Sequence, residues 1–259
     1  MPVRRYLLRV TLVVQITVLL LGLAAGFVWT RTAPVVSRDT LVNLANGAVL
    51  YPVRLGLVWL GIDRIHVGLV DLAVLPVPLQ FLVGLLVLDF CRYWLHYAHH
   101  RVPFLWTFHR VHHSPERIDS SVGLRMHVVD FLQLSLVPVL VFAVLFDVST
   151  SPSWLVPAVL SVGVVFDAIE HANVRFPLDR AWARVWYVLF NSPLFHSWHH
   201  VREGRLCDGN YANVFPMWDR LFGTAILNEV PPTAYGVEPD QSVENTVVGL
   251  QLLRPVGSG

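Results

Sequence analysis

The sequence predicts an all-α integral membrane helical bundle with a histidine-rich helical cap, and three observations predict it. Of its 259 residues 54% are hydrophobic and only 14% charged, against about 25% charged in an average globular chain. The apolar residues fall into long runs, at 10–29, 72–90, 128–146 and 154–169. The histidines gather where those runs end, in the i, i+3 and i+4 spacing of one helix face. One small core cannot bury so much apolar surface, so most of it must face lipid.

The first run follows Arg4, Arg5 and Arg9. It reads as a membrane helix with its basic end in the cytoplasm, although Ala24-Ala25-Gly26 could also serve as a signal-peptide cleavage site. Residues 49–61 are apolar but interrupted by Arg54, and fall short of the roughly 20 residues that span a bilayer. They read as an interfacial or re-entrant piece. The run at 72–90 is long enough to cross, with Pro76 and Pro78 delaying its start. Two further spans follow, joined by the short polar link 147–153. That makes about four spans. The link carries no arginine, whereas the preceding loop region holds Arg92, Arg101, Arg110, Arg117 and Arg125. The bias places that loop, and the histidine cap with it, on the cytoplasmic side. Residues 170–223 read as a polar, Trp-rich cap with short helices, one of them an amphipathic piece at 179–190. The expected division is an N-terminal membrane helix and interfacial segment at 1–71, a membrane domain carrying the histidines at 72–224 and a tail at 225–259 that carries no chemical signal.

A net charge of +1 with no basic run gives no reason to expect a nucleic-acid partner. All 19 basic residues are arginine. Cys91 and Cys207 show no paired spacing, which fits a reduced compartment.

The chemistry lies in the histidines. His96 and His100 are four apart, His109, His112 and His113 form H-x-x-H-H, and His196, His199 and His200 repeat it. His127 and His171 stand singly between the boxes, and only His66 and His99 of the 12 histidines fall outside the constellation. A neutral imidazole offers one nitrogen to a metal and the other to an orienting hydrogen bond. One ion takes roughly four to six ligands, so these ten rings imply two ions. His99 is off the face that His96 and His100 share. A lone H-x-x-H-H is often a surface accident, but two copies beside H-x-x-x-H in so charge-poor a chain are not.

Spacing cannot name the metal, since histidine binds iron, zinc, copper and nickel alike. Placement says more. A site at the ends of apolar helices suits a lipid chain entering sideways and redox attack on an aliphatic C–H bond. A di-zinc membrane hydrolase and a metal-transport protein are the alternatives, although transporters place ligands near the bilayer midplane. Candidate acids for orienting the imidazoles are Asp89, Asp130, Asp167 and Asp219, with Glu170 and Asp208 beside them. Asp167 and His171 are i, i+4, and an acid such as Asp89 at the end of a span is costly without a role. Trp106, Trp198 and Trp218 read as interfacial anchors.

These motifs resemble the fatty acid hydroxylase superfamily, the sterol desaturase-like membrane oxygenases, over roughly residues 86–224. The resemblance rests on His96-x-x-x-His100, His109-Arg110-Val111-His112-His113-Ser114, Arg125-Met126-His127 and His171-Ala172-Asn173. It continues through His196-Ser197-Trp198-His199-His200, Asn210-Tyr211 and Trp218-Asp219-Arg220-Leu221-Phe222-Gly223-Thr224. It implies a non-haem di-iron centre that uses O2 to hydroxylate or desaturate a lipid. It also implies His96, His100, His109, His112, His113, His196, His199 and His200 as ligands, with His127 and His171 next. Tyr97 replaces the family's usual arginine, and Val128 and Asp130 stand where a proline and an acid are usual after His127. No Gly-x-Gly-x-x-Gly stretch for a flavin is visible, so electrons are expected from a separate redox protein.

Overall fold

A computed structural model describes residues 36–61, 68–202 and 208–257, together with the isolated positions 17, 20 and 21. The first expected span and His66 therefore lie almost wholly outside the described residues.

Helix α1 runs Arg38–Gly61, a longer element than the interfacial piece the sequence suggests. Its start is fixed by Ser37, whose hydroxyl accepts from the Thr40 amide at 3.1 Å. Thr40, Asn43 and Asn46 form a buried polar stripe along one face. They bond Asp119 at 2.8 Å, Ser121 at 2.9 Å and the carbonyls of Leu124 and Met126 at 2.9 Å. The helix thus braces the loop that joins the histidine cap to the next long helix.

Helix α2, Val77–Arg101, is the axis of the bundle and packs most extensively against the three long helices that follow it. Pro76 caps it and Pro78 sits in its first turn, where a missing N–H costs nothing. It ends because Pro103 forces Val102 out of helical geometry, to φ −102° and ψ 112°. Helix α3, Pro103–His113, begins at that proline and folds back. One bend therefore brings H-x-x-x-H against the first H-x-x-H-H.

Helix α4, Val128–Leu145, and helix α5, Leu155–Glu170, complete the bundle. A two-residue parallel pairing, β1 Val70–Asp71 with β2 Phe146–Asp147, ties the entry of α2 to the exit of α4. Leu72, Leu88, Phe142, Leu155 and Val159 form the core between these helices. Helices α2 and α4 are both long and apolar enough to cross a membrane. At 16 residues α5 is shorter than such a span.

The cap contains α6, Ala181–Leu189, α7, Pro193–Ser197, and α8, Met217–Phe222. The tail is not inert. Gln241 accepts from the Trp106 indole at 3.1 Å and from Arg110 at 2.9 Å. Asn245 accepts from the buried Arg125 at 2.8 Å, and α9, Val247–Leu252, places the Gln251 carbonyl 3.0 Å from His127.

Candidate metal centre

Nine of the expected histidines converge into two groups. The first contains His96, His100, His109, His113 and His199, the second His112, His171, His196 and His200, with ligand nitrogens in each group within 4.8 Å of one another. The two H-x-x-H-H boxes interlock. Each gives its i, i+4 pair to one group and its i+3 ring to the other: His109 and His113 against His112, and His196 and His200 against His199. In the first box, on α3, the geometry follows from helix periodicity, since i and i+4 stack on one face while i+3 lies about 60° around the helix; in the second, α7 ends at Ser197 and His199 and His200 follow in a turn.

The hydrogen bonds on the outer nitrogens fix which nitrogen is bare. His96 Nδ1 donates to the Tyr211 carbonyl at 2.8 Å, and His199 Nδ1 to the Gly209 carbonyl at 2.8 Å. His171 Nδ1 donates to the Asp167 carbonyl at 2.6 Å, and His109 Nδ1 to the Asp130 carboxylate at 3.0 Å. A carbonyl only accepts, so each of these neutral rings presents an Nε2 lone pair inward. His96 Nε2 and His109 Nε2 then face each other, lone pair to lone pair, at 3.0 Å. In the second group the His171 lone pair lies 3.1 to 3.3 Å from Nε2 of His112, His196 and His200. No choice of tautomers satisfies that arrangement with hydrogen bonds alone. His100 has neither ring nitrogen bonded, and His199 Nε2 has no partner.

A cation at the centre of each group removes the conflict. Metal–imidazole bonds of about 2.1 Å place neighbouring nitrogens roughly 2.9–3.4 Å apart, between octahedral and tetrahedral geometry. The 3.0 to 3.3 Å separations lie in that range. Burial holds the rings of His109, His112, His113, His171, His196 and His200 below the ordinary imidazole value. Neighbouring imidazoles add to the effect at His112, His113, His196 and His200. Burial pushes His199 down to about 3. The rings are therefore neutral at pH 7, the form that ligates.

His127 stands apart from both groups. Its Nδ1 accepts from the Val129 amide at 3.1 Å, capping α4, and its Nε2 meets the Gln251 carbonyl at 3.0 Å. Both nitrogens are occupied. His99 is fully buried but turned away, its Nε2 bonded to Gln133 at 2.8 Å and its ring stacked on His109.

The candidate acids divide by what they touch. Asp130 orients His109 directly. Asp89 accepts from the amides of Val214 and Phe215 and from the Trp218 indole at 2.9 to 3.0 Å, so it ties the cap to α2 and touches no imidazole. Asp219 holds the Tyr211 and Ala212 amides at 2.8 and 2.9 Å, and thereby positions the carbonyl on which His96 rests. At Asp167 it is the main-chain oxygen that holds His171, while the carboxylate stands 3.8 Å from Arg92. Glu170 faces Nδ1 of His196 at 3.8 Å and of His171 at 3.9 Å, and is gripped by Asn191 and Asn213. Sequence reasoning missed those two asparagines and the carbonyls of Gly209 and Tyr211. A carbonyl leaves no trace in residue type, although Asn210-Tyr211 marked the neighbourhood.

The fold and site define a helical protein with apolar helices long enough for a membrane and a buried all-imidazole site able to hold two metal ions. A family model described as fatty acid hydroxylase matches residues 81–224, more than half the chain, and the protein belongs to that family. It is 29% identical to human alkylglycerol monooxygenase over 154 residues, 57% of this chain and 31% of the relative. It is 28% identical to the ornithine lipid hydroxylase OlsE of Rhizobium tropici over 155 residues, 58% of this chain and 42% of the relative. Zebrafish (Danio rerio) cholesterol 25-hydroxylase-like protein 2 is 29% identical over 160 residues, 59% of this chain and 53% of the relative. The chain thus spans less than half the length of the first two of these relatives. No solved structure matches it.

Proposed function

We propose that this protein is a non-haem di-iron membrane oxidoreductase that uses O2 to hydroxylate or desaturate an aliphatic C–H bond of a lipid. The observation that carries the reading is the pair of interlocked groups of bare imidazole nitrogens, buried where the long apolar helices end. Relatives named as a monooxygenase and lipid hydroxylases support the reaction class. The proposed ligands are the nine grouped histidines. Iron bound there would supply the one-electron and O2 chemistry that side chains lack. The chain does the rest. Asp130 and the carbonyls of Asp167, Gly209 and Tyr211 lock ring tautomers and orientation. Asp89 and Asp219 hold the 211–218 loop over the site, which keeps water out. Electrons come from a separate redox protein, and the arginine bias of the preceding loop puts the site at the cytoplasmic face.

The test is turnover by the purified, iron-loaded chain with a reductant, a lipid mixture and 18O2. A labelled alcohol or a new double bond is expected. Product formed undiminished without oxygen would overturn the proposal. Facing is tested separately, with cysteines introduced at the exposed Glu116 and Thr150. They should label from opposite sides of the membrane.

A further inference from the structure

Two of the five rings in the first group have no orienting hydrogen bond among the described residues. His96, His109 and His199 each donate Nδ1 to a fixed acceptor. The His100 side chain is 1% exposed, yet neither of its nitrogens is bonded, and the Asp208 carboxylate stands 3.7 Å away, beyond hydrogen-bond reach. His113 Nε2 meets only another imidazole, His109, at 3.2 Å. Both rings also border a cavity of about 230 Å³, so on that side packing leaves them space.

Trp106 bears on both rings. It precedes His109 and His113 on α3 by three and seven residues, so the three side chains share one helix face. Its ring lies 5.1 Å from that of His100 and 5.4 Å from that of His113. Tyr211 also flanks His100, at 5.1 Å, but among the described residues Trp106 is the one ring outside the histidines that touches both. Trp106 reads as an interfacial anchor in the sequence. In the fold its indole N–H donates to Gln241 Oε1 at 3.1 Å, the kind of partner a tryptophan removed from water requires.

Gln241 is itself fixed. Its carbonyl accepts from Arg110 Nη1 at 2.9 Å, and its amide donates to the Glu238 carbonyl at 2.9 Å, closing a turn over Pro239–Gln241. Just before that turn the chain is tied to the second box. The Gly236 amide donates to the His200 carbonyl at 3.3 Å, and the Ala234 carbonyl accepts from the Arg202 amide at 3.1 Å. Gly236 holds φ at 111°, which L side chains rarely adopt. Residues 234–241 thus form a strap from one H-x-x-H-H box to the other, outside the stretch 81–224 that the family model matches.

We propose that Trp106 and Gln241 are positioning residues for the first metal group: the strap holds the indole, and the indole holds the rings of His100 and His113 in place. This rests on the metal-binding reading above and extends it to a segment with no ligand motif. The effect is one-sided, because among the described residues no ring of the second group lies against Trp106.

The experiment is release of cobalt(II) from the full chain in detergent, loaded with two ions and challenged with a chelator, which requires neither O2 nor turnover. Release should show two phases, and His171→Ala assigns them by abolishing the one from the four-ring group. Trp106→Leu and Gln241→Leu should each speed release from the first group by about tenfold or more, the scale on which orienting partners act. They should also shift the visible cobalt bands and leave the other phase unchanged. Gln241→Glu keeps the acceptor and should restore slow release, while Trp106→Phe keeps a ring without the N–H and should fall between. Gln241 is only half-buried, so its variants carry the test should Trp106→Leu fail to fold. Asn245→Leu is the control. It removes the tail's bond to Arg125 without touching the strap, so it should lower Tm and leave release as in wild type. A first-group phase unmoved in folded variants, equal acceleration of both phases, or the same acceleration by Asn245→Leu would sink the proposal. One ion or none in the wild type would instead remove the two-metal reading, and this one with it.

Discussion

The two histidine groups differ in how firmly the protein holds them. Three of the five rings in the first group are anchored at Nδ1: His96 by the Tyr211 carbonyl, His109 by Asp130 and His199 by the Gly209 carbonyl. In the second group only His171 is anchored, by the Asp167 carbonyl. Nδ1 of His112, His196 and His200 has no partner, and Glu170 stands off at 3.8 Å from His196. The first group has more donors and rings already set for binding. An ion bound in the second would have to order the rings that lack such an anchor. Two sites built from the same residue type in the same motif should therefore differ in affinity, with the second releasing its ion first.

Removing a ligand is the largest perturbation of that difference. His171→Ala takes the central ring from the four-ligand group and should leave one ion per chain, with activity reduced at least 100-fold, beyond the 10–100-fold typical of losing only an orienting partner. His100→Ala removes one of five donors, and metal per protein by mass spectrometry should stay closer to two. Equal loss from both variants would show that ligand number does not set the order.

Orienting groups come next. Asp130→Ala should weaken the first group alone by about 10–100-fold, since His109 loses the acceptor that fixes its tautomer. Asp167→Ala should leave His171 in place, because its acceptor there is main chain. A chelator titration of each variant separates the two outcomes.

Acid acts on both groups of the metal-free chain. His109, His112, His113, His196, His199 and His200 are held below 6.5 in the fold. Below pH 6.5 the unfolded chain binds protons that the folded chain refuses, so stability falls as pH falls and is regained above it. Thermal melting of metal-free protein at pH 7.5 and 5.5 should show a lower Tm at the lower pH, and bound metal should steepen the dependence. The smallest effect is expected outside both groups. His127→Ala removes a helix cap, at a cost of about 1 kcal/mol, and His127→Asn should retain it. Loss of an ion from the alanine variant would return His127 to the ligands.

The sequence by itself determined which residue types do the chemistry and on which helix faces they sit. Apolar runs and the i, i+3, i+4 spacing are local properties, fixed by 3.6 residues per turn, so the helical bundle and the H-x-x-H-H boxes could be read directly. The tertiary structure decided what spacing cannot express. It split each box between two groups of rings, because that depends on where the second box lies in space. It set His127 outside both groups, as a helix cap that meets the Gln251 carbonyl of a tail with no motif of its own. It moved the support of His171 from the Asp167 carboxylate to its main-chain oxygen. Backbone carbonyls carry no residue identity, and partners such as His96 and Tyr211 are 115 positions apart. Only the folded chain brings them within a hydrogen bond.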